Sequence, residues 1–166
     1  MAPVDDLAEF DRVVREHDAG PGDDLGFLAK FEPVDDLIAA GLRKTLDDHD
    51  WYAFQTYLFL AGSRPSAKYV DTLNEVLDRR LADYAPEDVV SYLGDIRDPK
   101  AVPSLERALS WRREDDEFHQ FAFKVLSALM AIGGEESWRV IESARHDDRD
   151  RVRDIADQLS GKRGNG

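Results

Sequence analysis

The chain has 166 residues and no cysteine. Its length is sufficient for one compact domain or one short array of repeats. The absence of cysteine excludes disulfides, thiolate zinc sites and a cysteine nucleophile. Its 35 acidic and 22 basic residues give a formal net charge of −13 at pH 7. That charge repels phosphates and anionic lipids, so we expect neither nucleic acid nor a membrane as partner. The charge either serves solubility alone or attracts a basic protein partner.

Apolar residues recur at spacings of three and four along nearly the whole chain, which predicts an all-α fold. The first helix is predicted near 4–17, with an apolar stripe of Leu7, Phe10, Val13 and Val14, and a Gly-Pro-Gly break at 20–22 follows it. The start of the chain lacks the basic residues and the apolar run of a signal peptide, so we expect a cytoplasmic protein.

The second predicted helix is amphipathic and begins near Pro33, where Asp35 and Asp36 suit the positive end of the helix dipole. Its apolar stripe consists of Val34, Leu37, Ile38, Gly41, Leu42 and Leu46.

An aromatic-rich helix comes next, and its core face is predicted to hold Trp51, Phe54 and Leu58. Tyr52 and Phe59 then project elsewhere. Either the N-terminal segment covers these two side chains, or they form an exposed anchor patch of the kind that dominates interface energies. The apolar stretch is about half the length that spans a bilayer, so no membrane span is predicted.

Self-similarity is visible further along the chain. A shift of 36 residues places the apolar positions of 129–144 on those of 93–108, and a shift of 32 places those of 70–77 on those of 102–109. In the best-defined unit we predict that one helix ends at Gly94, that Asp98 caps the next helix and that Pro99 takes its first position. This unit reads Leu93-Gly94-Asp95-Ile96-Arg97-Asp98-Pro99-Lys100-Ala101-Val102-Pro103-Ser104-Leu105.

This unit closely resembles the HEAT-like repeat first described in phycobiliprotein lyases, and segments 128–135 and 146–153 resemble parts of the same repeat. The resemblance implies a right-handed α-α superhelix, a HEAT-like solenoid of about four helical pairs. Residues 1–31 would form an N-terminal helical cap, and 32–160 the HEAT-like repeats. The implied pairs are 33–50 with 50–62, 66–82 with 85–96, 99–111 with 114–132, and 135–146 with 149–160.

Two local features add to this prediction. Pro103 would lie inside helix 99–111 and remove one backbone hydrogen bond, so we expect a bend there. The end of the chain, 161–166, contains three glycines and no apolar residue, so we expect a disordered tail.

The second helix of each pair faces the concave side in such repeats, which makes its residues opposite the core the default contact set. The core stripes assigned to the last two of these helices are Phe118, Phe121, Ala122, Val125 and Leu129, then Val152, Ile155, Ala156 and Leu159. The predicted protein-binding residues are Asp88, Ser91, Asp95, Gln120, Lys124, Ser127, Arg151, Asp154 and Gln158, together with Tyr52 and Phe59.

Residues that could carry catalysis are scattered. His17, His49 and His146 adjoin aspartates at predicted helix ends, as exposed turn residues do. His119 precedes Gln120 inside helix 114–132, whereas the HEAT-like deoxyhypusine hydroxylases bind iron through repeated His-Glu pairs, which this sequence lacks. No Gly-x-Ser-x-Gly turn or Gly-rich phosphate loop occurs. We therefore expect no catalytic residue, metal or cofactor.

These features favour a non-catalytic protein-binding module or adaptor. A narrower hypothesis, based on the acidic charge, is an immunity or inhibitor protein that neutralises a basic enzyme or toxin. The resemblance to lyase-type repeats leaves a subunit acting on a tetrapyrrole (bilin) as a second alternative. A structural role through self-association also stays open, as does the oligomeric state.

Overall fold

A computed structural model of the protein describes residues 4–114, 116 and 118–163. In this part of the chain every regular element is helical and no β-strand occurs, which confirms the predicted all-α class. Its α-helices are α1 (Val4–His17), α2 (Val34–Asp47), α3 (Trp51–Ser63), α4 (Val70–Asp78), α5 (Pro86–Ile96), α6 (Val102–Leu109), α7 (Gln120–Ile132), α8 (Gly134–Ala144) and α9 (Asp150–Arg163). Short 3-10 turns occupy Gly26–Lys30, Ala67–Tyr69, Ala82–Tyr84 and Pro99–Ala101.

The helices after α1 form two rows. In the first row α2 contacts α4, α4 contacts α6 and α6 contacts α8, and in the second row α3, α5, α7 and α9 contact one another in the same order. Between the rows, α2 packs on α3, α4 on α5, α6 on α7 and α8 on α9. Helix α1 packs against α2 and α3, at the beginning of both rows.

Apolar stripes on the two rows meet in a continuous core. Leu42 of α2, Leu73 of α4 and Leu105 of α6 are fully buried, as are Leu93 of α5 and Leu129 of α7. Burial of side chains of this size contributes roughly 1.5–3 kcal/mol each, so the matching of stripes between rows is the main source of stability.

The 32-residue shift seen in the sequence reappears in the backbone. The Ser66 side chain accepts a hydrogen bond from the Lys68 N–H, and the Asp98 side chain accepts one from the Lys100 N–H. Each cap begins a 3-10 turn, and an α-helix follows at Val70 or at position 102. The predicted Asp98 cap and the position of Pro99 at the start of the next element are therefore confirmed.

Two glycines that the 32-residue shift places on each other, Gly62 and Gly94, allow neighbouring helices of the second row to pack closely. A Cβ on Gly62 of α3 would lie 2.3 Å from the Tyr92 ring of α5, and a Cβ on Gly94 of α5 would lie 3.0 Å from the Ala128 Cα of α7. The implied helix 85–96 matches α5, which continues to Ile96 with Arg97 as its C-cap residue, so the prediction that this helix ends at Gly94 is wrong by two residues. The glycine is explained by the close packing of α5 on α7 and not by the end of a helix.

The segment before α7 differs from the prediction. Helix α7 begins at Gln120, not near 114, because His119 has the left-handed φ of 54° and interrupts the helix. The Asp116 carboxylate accepts hydrogen bonds from the backbone N–H groups of Gln120 (2.6 Å) and Phe121 (3.2 Å), which satisfies two amides of the first turn. Phe118, predicted to be buried, lies in the preceding turn and is 62% exposed.

Three further predictions need correction. Trp51, assigned to the core face, is 50% exposed at the first position of α3. Pro103 lies in the first turn of α6, after the 3-10 turn Pro99–Ala101, so it does not stand inside one continuous helix 99–111 as predicted, and its missing N–H costs no helical bond. Helix α9 continues to Arg163, whose guanidinium lies 5.1 Å from the Trp138 ring centre, so residues 161–163 belong to a helix. The rest of the predicted tail, 164–166, lies outside the described residues.

Candidate functional site

A groove of about 330 Å³ opens between the segment after α1, the outward side of α3 and the beginning of α5. Three of the predicted contact residues, Tyr52, Phe59 and Asp88, line it together. We call it the α3–α5 groove, and the residues that give it its chemistry are Asp18, Tyr52, Gln55, Phe59, Asp88 and Tyr92.

The outward side of α3 is fixed by the way this helix begins. The Asp50 side chain accepts a hydrogen bond from the Ala53 N–H at 3.1 Å and caps the helix. From that start, helical periodicity directs Phe54 and Leu58 into the core and leaves Tyr52 and Phe59 on the other side.

Tyr52 is exposed, at 57% of its surface, although the N-terminal segment touches it. Its hydroxyl donates a hydrogen bond of 2.8 Å to the Asp18 carboxylate, and this bond and the negative charge raise the pKa of Tyr52. Phe59 is half-buried and packs against the core. The segment after α1 therefore forms one wall of the groove and leaves Tyr52 uncovered.

Tyr92 belongs to the groove as well, and the sequence did not single it out. Its ring rests on Gly62 of α3, where a side chain would collide with it. Burial, and then the nearby carboxylates of Asp88 and Asp95, raise its pKa. The sequence could have indicated Tyr92 through its spacing of four residues from Asp88, which places both side chains on the same side of α5.

The charged side chains that line the groove are all negative. Asp18 and Asp88 line it, and among the described residues no lysine or arginine does so. Glu87 is neutralised by Lys124 of α7, at 3.0 Å between Nζ and Oε2. For Asp88, by contrast, the described part of the chain offers no ion-pair partner.

The remaining predicted contact residues lie along the same row of helices, outside the groove. Asp95, Gln120, Arg151, Asp154 and Gln158 are exposed, whereas Ser91, Lys124 and Ser127 are half-buried. Two of the half-buried side chains are engaged within the protein, since the Ser91 hydroxyl donates to the Glu87 carbonyl and Lys124 forms the ion pair described above. The exposed Phe123 of α7 was missed, because its neighbours Phe121 and Ala122 carry the core stripe.

Within 4–114, 116 and 118–163, no three His, Asp or Glu side chains come together in a way that could hold a metal ion. No helix in these same residues has the length and apolar character needed to cross a bilayer.

Comparisons with known proteins give no further information on identity. No protein-family model, no curated protein and no solved structure matches this chain.

The contact between Gly62 and Tyr92 leads to a prediction about the groove wall. Gly62→Ala places a methyl group 2.3 Å from the ring position of Tyr92, so the ring has to leave α3, and we expect a destabilisation of about 1–2 kcal/mol. In a Tyr92→Ala background the same change should instead stabilise the helix by up to about 1 kcal/mol. Urea unfolding of the four proteins measures this coupling, and strictly additive effects would contradict the packing.

Proposed function

We propose that this chain is a non-catalytic protein-binding module that presents the outward side of α3, α5, α7 and α9 to its partner. In this proposal the two rows of helices are a right-handed solenoid of HEAT-like pairs, and the second row lines its concave side. The observation that carries the proposal is the set of exposed aromatic side chains on that row, Trp51, Tyr52 and Phe123, together with the half-buried Tyr92.

Aromatic residues in such positions are suited to anchor a partner. Each offers a large contact area with few rotatable bonds, and residues of this type supply most of the binding energy at interfaces. Tyr52 is additionally held in place by its hydrogen bond to Asp18. An anchor that is ordered before binding loses less conformational entropy when the partner arrives.

A second candidate is an inhibitor or immunity protein that neutralises a basic enzyme or toxin. It is favoured by the exposed carboxylates of Asp88 and Asp95 on α5, which have no cationic partner in the described residues. A protein of net charge −13 also attracts a basic partner over distances of about a Debye length, which speeds association.

Site-specific photocrosslinking in cells of the source organism tests the proposal. We expect a benzophenone amino acid at Gln55 or Gln158, both exposed on the second row, to capture the same protein. The matched controls are Asp71 of α4 and Pro103 of α6, which are exposed on the first row and should not capture it. Equal capture from both rows, or capture from neither, would overturn the proposal.

A further inference from the structure

The α3–α5 groove combines shape and charge in a way that restricts its occupant. Its volume of about 330 Å³ is at the lower end of the range for pockets that bind small groups, roughly 300–1,000 Å³. Asp18 reaches it from the segment after α1 and Asp88 from α5, while α3 contributes Tyr52 and Phe59. Two carboxylates and a set of aromatic rings therefore share one concave surface.

This surface favours a positive charge that is carried on an apolar stem. The carboxylates attract a cation, and the faces of aromatic rings attract it further by cation–π interaction. Elsewhere in the chain such contacts occur internally, since the Arg113 guanidinium lies 5.6 Å from the Phe121 ring centre and Arg163 lies over Trp138. In the α3–α5 groove the aromatic rings and the carboxylates are present, but no cation of the described residues fills it.

The arrangement favours arginine over lysine or a metal ion. A guanidinium is planar, stacks on aromatic rings and donates to two acceptors in a fixed geometry. One oxygen of Asp18 already accepts from Tyr52, so few carboxylate oxygens remain for a divalent cation, which needs six or more ligands. We infer that the α3–α5 groove receives an arginine side chain of a protein partner, held between Asp18 and Asp88 and stacked on the aromatic wall. The inference rests on the proposed function and specifies its central contact.

A titration followed by amide NMR tests the inference on the full chain. The probe is the blocked peptide acetyl-Gly-Arg-Gly-amide, with lysine and citrulline versions at the central position. We expect saturable shifts for the arginine peptide at amides along the groove, such as Gly20, Gln55 and Tyr92. The lysine peptide should bind more weakly, and the uncharged citrulline peptide should not shift these amides.

Two variants that each remove one negative charge distinguish binding in the groove from general attraction to the acidic surface. Asp88→Asn should weaken binding of the arginine peptide by about two- to fivefold, whereas Asp71→Asn, at an exposed aspartate of α4 on the first row, should leave it unchanged. Shifts scattered over the surface, equal effects of the two variants, or equal binding of the three peptides would overturn the inference. If crosslinking from Gln55 succeeds while this titration fails, the protein-binding function stands and the arginine contact falls.

Discussion

Gly41→Ala is expected to destabilise the protein by about 3 kcal/mol, although alanine is the better helix former by about 1 kcal/mol. A Cβ at this position of α2 would lie 2.0 Å from the nearest carbon of the Tyr57 ring. That ring cannot move aside at low cost, since it is fully buried and packs near Phe10. Its hydroxyl also donates a hydrogen bond of 2.9 Å to Asp11, so a displaced ring weakens the attachment of α1.

Thermal unfolding measures this effect, and roughly 2–4 °C of melting temperature is expected per kcal/mol in a chain of this size. Gly161→Ala is the matched control, because no atom lies within 4 Å of its added methyl group and the position is an exposed one in α9. It should leave stability unchanged or raise it slightly. A Gly41→Ala protein as stable as this control would show that Tyr57 does not occupy the space above Gly41.

Periodicity was sufficient to predict the helices and most of their buried faces. The stripe from Leu37 to Leu46 in α2 and the residues Val125 and Leu129 in α7 are buried as expected. Such predictions succeed because side chains three and four positions apart share a side of any helix, whatever the helix packs on. The role of Gly41 was not predictable in the same way, since it depends on the ring of Tyr57 from another helix.

The beginning of α7 shows where local pattern stops being informative. Phe118 and Phe121 have helical spacing, which suggested one continuous helix from 114 onward. The Asp116 carboxylate instead caps the helix at Gln120, and His119 takes a left-handed conformation. A side-chain cap stabilises the start of a helix by about 1 kcal/mol, so it competes with continuation of the helix through the same residues. Hydrophobic periodicity carries no information on which of these two structures forms.

The candidate groove was predictable in part. Helical faces alone placed Tyr52, Phe59 and Asp88 on the outward side of their helices. Asp18 could not be assigned to the same site, because its position depends on the path of an irregular segment around 18–22. Tyr92 was overlooked for a related reason, since its contact with α3 depends on how closely the two helices approach.

The second large effect is expected at an ion pair that links α8, α9 and the end of α6. Asp147 and Arg149 are 16% and 7% exposed, and their side chains are joined at 2.7 Å. The Arg149 guanidinium also donates 2.8 Å to the Leu109 carbonyl at the end of α6, and the Arg149 backbone N–H donates to Asp147. These bonds connect the last pair of helices to its neighbour.

Asp147→Asn should therefore cost about 2–4 kcal/mol at pH 7, because it leaves the Arg149 charge buried without its counterion. Interaction with Arg149 lowers the pKa of Asp147 from 3.8 to about 2. A pKa that is lower in the folded state contributes stability above the unfolded value, and that contribution is lost as the pH falls toward 2. The difference between the two proteins should accordingly be constant from pH 7 to about 5 and shrink by roughly 1 kcal/mol or more at pH 3.

Urea unfolding between pH 3 and 7 checks both the magnitude and the sign of this dependence. Asp157→Asn is the control, since it removes the same charge from an exposed pair with Arg145, where Asp157 is 56% exposed. That change should cost less than about 0.5 kcal/mol throughout the range. If the two variants behaved alike, the Asp147–Arg149 pair would contribute no more to stability than a surface ion pair, and Arg149 would not depend on Asp147 as its counterion.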